Sequence, residues 1–328
     1  MTAHTITETP NSRYELFIAS CIPAGGIYRC VLDGNSFEQV GVIPCDSPMY
    51  IFSECDKLFV TLRDAGEDHS SVISGYKYSR RGYTKIGEDI STAGKIGCHL
   101  TRYKGKLYVA NYLSGSVFCS SGKLDIHCGH GINMRRQEAP HPHFIAPAPD
   151  NECLLSADLG LDAVFIYDEE LNVLSVGRVP NGHGARHLAY STDGGTVFCV
   201  NELASTVSVF RYGNRDLTLM ETVPALRKSS ADNTSAAIRV NGNYVYVSNR
   251  GNDSISCLRW DGNTLQLETE SACGGRSPRD FVIIDDTIFC ANELSDTVSV
   301  LKVNGCEIFD TGKRLHVDKP LCVVASRV

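Results

Sequence analysis

TVFCVNELASTVSVFRY, residues 196–212, holds the plan of the whole chain in miniature. Two runs rich in β-branched and aromatic residues, 196–201 and 206–212, are separated by a loop of a few residues, and the first run closes on a small polar residue, Asn201. Alternation of this kind marks half-buried strands, and a short link between two of them marks an antiparallel pair. TIFCANELSDTVSVLKV at 287–303 repeats the pattern with the same NEL and TVSV segments.

Working outward, the first run recurs as ELFIAS at 15–20, KLFVTLRD at 57–64, KLYVAN at 106–111, CLLSAD at 153–158 and YVYVSN at 244–249. Its closing residues, Ser20, Asp64, Asn111, Asp158, Asn201, Asn249 and Asn292, stand 43 to 48 residues apart, which is the period of a propeller blade. A further strand precedes each closing residue: PMYIF from 48, HLTRY from 99, HFIAP from 143, HLAYS from 187, AAIRV from 236 and DFVII from 280. The N-terminal repeat lacks this strand and the C-terminus carries a spare one, LCVVAS at 321–326. The last strand therefore completes the first blade and hides the open sheet edges. The pattern predicts an all-β fold, one seven-bladed β-propeller domain over 1–328 with four-stranded antiparallel blades and a flexible lead-in at 1–13. The single tryptophan, Trp260, and the absence of WD dipeptides argue against WD40 repeats.

Composition narrows the class. Of the 328 residues 42% are hydrophobic and 21% charged, with a formal net charge of −7, so no basic footprint for nucleic acid exists. The chain has no apolar run long enough to span a bilayer, and its start, MTAHTITETPNSRYELF, lacks a signal-peptide pattern, so a cytoplasmic protein without a membrane partner is expected. Fourteen cysteines in so long a chain without an export signal are expected to be reduced, and Cys199, Cys257 and Cys290 sit in apolar strand runs. The absence of a CxxC pair argues against structural zinc. Oligomeric state is not legible.

The chemistry lies at strand ends. In an antiparallel pair the start of one strand lies beside the end of its neighbour. His99, His141, His143, Arg186, His187 and Arg279 lead into inner strands, whereas Glu202, Arg250 and Glu293 leave the following ones. All are expected on one face of the ring, around the central channel. Arginine forks suit carboxylates and phosphates, so a small anion is the expected ligand, with histidine or glutamate available for proton transfer. The loop histidines His127, His130, His141 and His143 with Cys128 have neither finger nor HExxH spacing, and they read as pocket lining. The pairs at 80–81 and 135–136 read as solvated charges, and no GxSxG elbow supports a serine nucleophile.

The segments PHPHF at 140–144, DLGLD at 158–162, GARHL at 184–188, NELASTV at 201–207, SNRGNDSI at 248–255 and SPRDF at 277–281 occur in family order, together with the long loop at 127–143. In them the chain resembles the lactonase family of seven-bladed β-propellers over nearly its whole length. The resemblance implies a catalytic set of His143, Arg186, Glu202 and Arg250 with neither metal nor cofactor, and His141, His187, Arg279 and Glu293 at the strand ends, with Arg239, are expected to bind the substrate. The resemblance further implies hydrolysis of a sugar lactone, with 6-phosphoglucono-1,5-lactone as the leading substrate. Two departures stand out: Ala185 where proline is common, and Arg239 where histidine is expected. The residues leave open a lactone-forming, muconate cyclase-like enzyme and a non-catalytic propeller that grips a small anion. They also leave open which of Glu202 and His143 is the base.

Overall fold

A computed structural model describes residues 13–79, 82–228, 230 and 232–328. The expected flexible lead-in falls outside these residues except for Arg13, as do Arg80 and Arg81. Seven four-stranded antiparallel sheets make up the described structure, and it contains no α-helix. The strands nearest the axis are Pro320–Arg327 in blade one, Pro48–Glu54 in two, Gly97–Tyr103 in three, Pro142–Pro147 in four, Ala185–Tyr190 in five, Thr234–Asn241 in six and Pro278–Ile284 in seven. Each packs against the inner strands on either side, which closes the ring. Blade one is completed from the far end of the chain, with Pro320–Arg327 pairing antiparallel to Arg13–Ser20.

Burial falls from the axis outward. Second strands such as Thr196–Asn201 are buried at every residue because both faces are covered by neighbouring blades. Outermost strands such as Gly82–Ser91 are exposed throughout. The core therefore lies between blades. Phe144, Leu155 and Ile166 of blade four, for example, pack with Leu188, Val197 and Phe210 of blade five. In blades five, six and seven the asparagine closing the second strand acts as a clasp. Asn201 Nδ2 donates to Ser208 Oγ at 2.9 Å, and Asn249 and Asn292 bind Ser256 and Ser299 in the same way. Such clasps satisfy buried polar groups between second and third strands.

The inner strands share an irregularity. Pairing with the second strand skips Met49, Cys98, His143, Arg186 and Arg279 in blades two, three, four, five and seven. In blade one it skips Leu321, and in blade six it skips Ala236 and Ala237. An extra residue on one strand bends it and re-aims a side chain. Six of these residues, one from each blade except six, line the same small cavity at the channel mouth.

One expectation about cysteine is corrected. Cys257, in the third strand of blade six, and Cys306, in the turn before the outer strand of blade seven, form a disulfide between the blades. The other twelve cysteines are free. The pair was hidden because its members lie 49 residues apart in sequence and meet only through blade packing.

Candidate active site

The site is built on bulges and strand ends. Arg186, the bulge residue of blade five, is only 1% exposed. It donates from Nε to Glu202 Oε2 at 2.9 Å and from Nη1 to the Ala236 carbonyl at 2.7 Å, a group that the blade-six bulge frees from the ladder. Glu202 follows the second strand of blade five, and its N–H bonds the Gly184 carbonyl at 2.7 Å. Gly184 has φ of 74°, and a Cβ there would lie 2.7 Å from the Leu203 side chain, so only glycine permits this approach. Arg250, at the end of the second strand of blade six, reaches Glu202 Oε2 from Nη2 at 3.0 Å and also faces the carbonyls of Thr234 and Ser235.

A third guanidinium arrives from elsewhere. Arg136 donates from Nη2 to Glu202 Oε1 at 2.5 Å. The doublet at 135–136, read as solvated, thus contains a site residue. It sits on the connection between blades three and four, residues 127–141, which crosses the mouth as a strap. Its placement is built in several layers. His127 bonds Asp158 through Nδ1 and Tyr167 through Nε2, each at 2.5 Å, and stacks on Phe165. Buried Gln137 donates to the Leu159 carbonyl at 2.8 Å, and the His141 N–H bonds Asp158 Oδ1 at 2.8 Å. A Cβ on Gly160 would lie 1.9 Å from the Ala139 carbonyl oxygen, so the strap fits over this turn only because glycine is there.

Electrostatics follow from this geometry. Burial alone would raise the Glu202 pKa, but Arg250, Arg186 and Arg136 outweigh it and hold the carboxyl well below its usual value. Burial lowers the Arg186 guanidinium to about 9, helped by Arg250 and opposed by Glu202, so it stays charged at neutral pH. Burial, reinforced by Arg186, pushes His143 well below the ordinary imidazole value, which leaves it neutral. The same two causes act on His187. Arg186 Nη1 faces His187 Nε2 at 3.3 Å. A guanidinium only donates, so Nε2 holds the lone pair and the His187 proton is on Nδ1. The buried Nδ1 atoms of both His143 and His187 have no hydrogen-bond partner among the described residues.

The expected residues separate into groups. His143, Arg186, Glu202 and Arg250 converge, with His187 beside them and the His143 and His187 ring centroids 5.2 Å apart. Arg279 lines the same cavity and pairs at 3.3 Å with Glu293, which faces an adjoining groove on the rim. His141 has both ring nitrogens engaged, by the Tyr112 carbonyl and by Glu138, and it stacks on Tyr112, so it anchors the strap. Arg239 lies further along its inner strand, on the far side of a layer formed by Tyr50, His99 and Asp280. It pairs there with Asp280 at 2.6 Å and lines a separate cavity of about 570 Å³. His99 is packed between Tyr50 and Phe144 in that dividing layer. Among the described residues no cluster of three or more His, Cys, Asp or Glu is arranged to hold a metal ion.

Comparison with known proteins agrees with this architecture. The family described as "Lactonase, 7-bladed beta-propeller" matches residues 15–325. An uncharacterized protein of Staphylococcus aureus strain N315 is 30% identical over 303 residues, which is 83% of this chain and 87% of that protein. Among solved structures, the periplasmic gluconolactonase PpgL of Pseudomonas aeruginosa is similar with a TM-score of 0.85 and 24% identity, covering 96% of this chain and 99% of that one. A candidate 6-phosphogluconolactonase of Bacteroides fragilis has a TM-score of 0.86 and 22% identity, covering 98% and 99%. These two structural likenesses establish the shared fold.

Proposed function

We propose, from the premise that the chain belongs to the seven-bladed β-propeller lactonase family, that it hydrolyses an anionic sugar lactone, with 6-phosphoglucono-1,5-lactone as the leading substrate. The observation that carries this reading is a neutral, buried His143 beside guanidiniums gathered on one carboxylate. Four guanidiniums, Arg136, Arg186, Arg250 and Arg279, face two carboxylates, Glu202 and Glu293, while Asp280 is neutralised by Arg239. With Glu138 of the strap, whose carboxylate also feels Arg136, one positive charge is left over on a protein whose formal net charge is −7. A cleft with such a surplus concentrates anions.

The proton balance assigns the roles. Glu202, held ionised by three cations, is a weak base and serves to fix the arginines. His143 is uncharged at neutral pH and has a free ring nitrogen. The cavity that it lines with Arg186, His187 and Arg279 measures about 10 Å³, room for a single water. In this scheme His143 takes a proton from that water as the water oxygen bonds to the lactone carbonyl carbon. Arg186 and Arg250 stabilise the oxyanion of the tetrahedral intermediate. The ring C–O bond then breaks, and the imidazolium returns its proton to the departing ring oxygen, giving a hydroxy acid that ionises in solvent.

The test is enzyme-dependent loss of 6-phosphoglucono-1,5-lactone and of glucono-1,5-lactone, each measured against its spontaneous rate. Acceleration by wild type that His143→Asn abolishes supports the reading. Spontaneous-rate behaviour of wild type on a full panel of sugar lactones removes it.

A further inference from the structure

We infer that Arg136 is the specificity-determining residue of the site, selecting a ligand that bears a phosphate dianion over its unphosphorylated counterpart. This deepens the lactonase reading and rests on it for the identity of the ligand, though not for the selectivity itself.

The argument begins with which cations have donors to spare. Arg186 is sealed in and bonds Glu202, Ala236 and His187. Arg250, with 15% of its side chain exposed, faces Glu202 and two backbone carbonyls. Arg279 is 23% exposed and pairs with Glu293. Arg136 touches Glu202 through one terminal nitrogen, contacts Tyr112, and keeps 40% of its side chain exposed at the mouth. A guanidinium offers five N–H donors in a planar fork that matches phosphate oxygens. Of the four site arginines, Arg136 presents the most of that fork to an incoming ligand.

Space leads to the same residue. The cavity enclosed by the bulge residues holds about 10 Å³, room for the attacking water alone, so a sugar-sized ligand has to lie over its opening, with its carbonyl toward Arg186 and His143 and its remainder toward the mouth. The strap borders that mouth. Its anchoring through His127, Gln137 and His141 fixes Arg136 before any ligand arrives, so binding costs little ordering of the residue. The charge surplus matches what this arginine would meet. A net positive charge suits a phosphate dianion, and contacts to Tyr112 and Glu202 hold the guanidinium in place.

The experiment is calorimetric binding of 6-phosphogluconate and of gluconate to wild type, Arg136→Ala and Arg136→Lys, which requires no turnover. Wild type is expected to prefer the phosphorylated ligand. Arg136→Ala is expected to lose roughly tenfold to a hundredfold in affinity for 6-phosphogluconate, the value of a charge-assisted contact, and about twofold or less for gluconate. Arg136→Lys should fall between, because it restores the charge without the fork. Equal losses for both ligands would assign Arg136 a merely structural role and overturn the inference, as would unchanged selectivity in Arg136→Ala or wild type that binds neither ligand. Wild type that shows the Arg136-dependent selectivity but accelerates no lactone would overturn the lactonase reading and leave this inference standing.

Discussion

Arg186 and Glu202 form an ion pair within a single blade, Nε to Oε2 at 2.9 Å, with only 2% and 4% of their side chains exposed. Neither charge has water to fall back on. The carboxylate is shared with Arg250 and Arg136, so one acidic residue compensates a cluster of cations drawn from blade five, blade six and the strap.

Glu202→Gln removes that compensation and leaves a buried guanidinium unpaired. Breaking a buried pair from one side typically costs about 3–5 kcal/mol, so the melting temperature should drop clearly in thermal denaturation. The pH dependence has a defined sign. The folded-state pKa of Glu202 is depressed below 4.5, so its stabilisation is fully present above that value and is lost as pH falls through the folded-state value. The wild-type melting temperature should therefore decline more steeply on the acid side than that of Glu202→Gln. Equal stability of the two proteins at pH 7 would contradict this account of the cluster.

His143→Asn is expected to reduce kcat by about a hundredfold to ten-thousandfold while leaving the circular dichroism spectrum unchanged. A depressed imidazole pKa keeps the base form available well into mild acid. The profile of kcat/KM should then stay level from pH 8 to 6.5 and decline only at lower pH as His143 takes up its proton. A midpoint at or above 6.5 would mean that the group is not buried beside Arg186 as described.

Asp158→Asn tests the strap. Asp158 accepts from His127 through one oxygen and from the His141 and Leu161 N–H groups through the other. Weakening these contacts should free residues 127–141 without unfolding the blades. Trypsin should then cut after Arg135 or Arg136 faster than in wild type, and the affinity for an anionic ligand should fall. Identical cleavage rates would show that the strap is held by other means.

Reducing the Cys257–Cys306 bond should raise the thiol count of the denatured protein from twelve to fourteen and lower the melting temperature. A cross-link closing a loop of this length is worth roughly 2–4 kcal/mol. Cys306→Ser in the presence of reductant should match reduced wild type. A thiol count of fourteen without reductant would remove the bond from this description.

The blades were legible because burial on both faces writes a continuous apolar run at each second strand, and the polar clasp at its end recurs at Asn201, Asn249 and Asn292. Ring closure was legible because LCVVAS at 321–326 has no partner in the final repeat. Strand polarity put His143, Arg186, Glu202 and Arg250 on one face with five other residues, and the family resemblance singled out these four. The bulges were not legible. A skipped residue leaves the apolar pattern nearly intact, so nothing in GARHL shows that Arg186 turns inward. Arg239 shared the inner-strand pattern, but position along the strand places it beyond the Tyr50 and His99 layer. Arg136 was missed because its partner is 66 residues away and meets it through a loop, where periodicity carries no information.

The pairing of Pro320–Arg327 with Arg13–Ser20 bears on how the molecule is made. During translation, blades two to seven acquire all their own strands in order, while Arg13–Ser20 keeps an unsatisfied row of amides and carbonyls until Pro320–Arg327 has emerged. Leu321 of the latecoming strand also lines the cavity beneath the arginines, so the pocket itself is finished last. A nascent chain stalled short of residue 320 would hold six sound blades, an adhesive edge and a gap in the wall of that cavity.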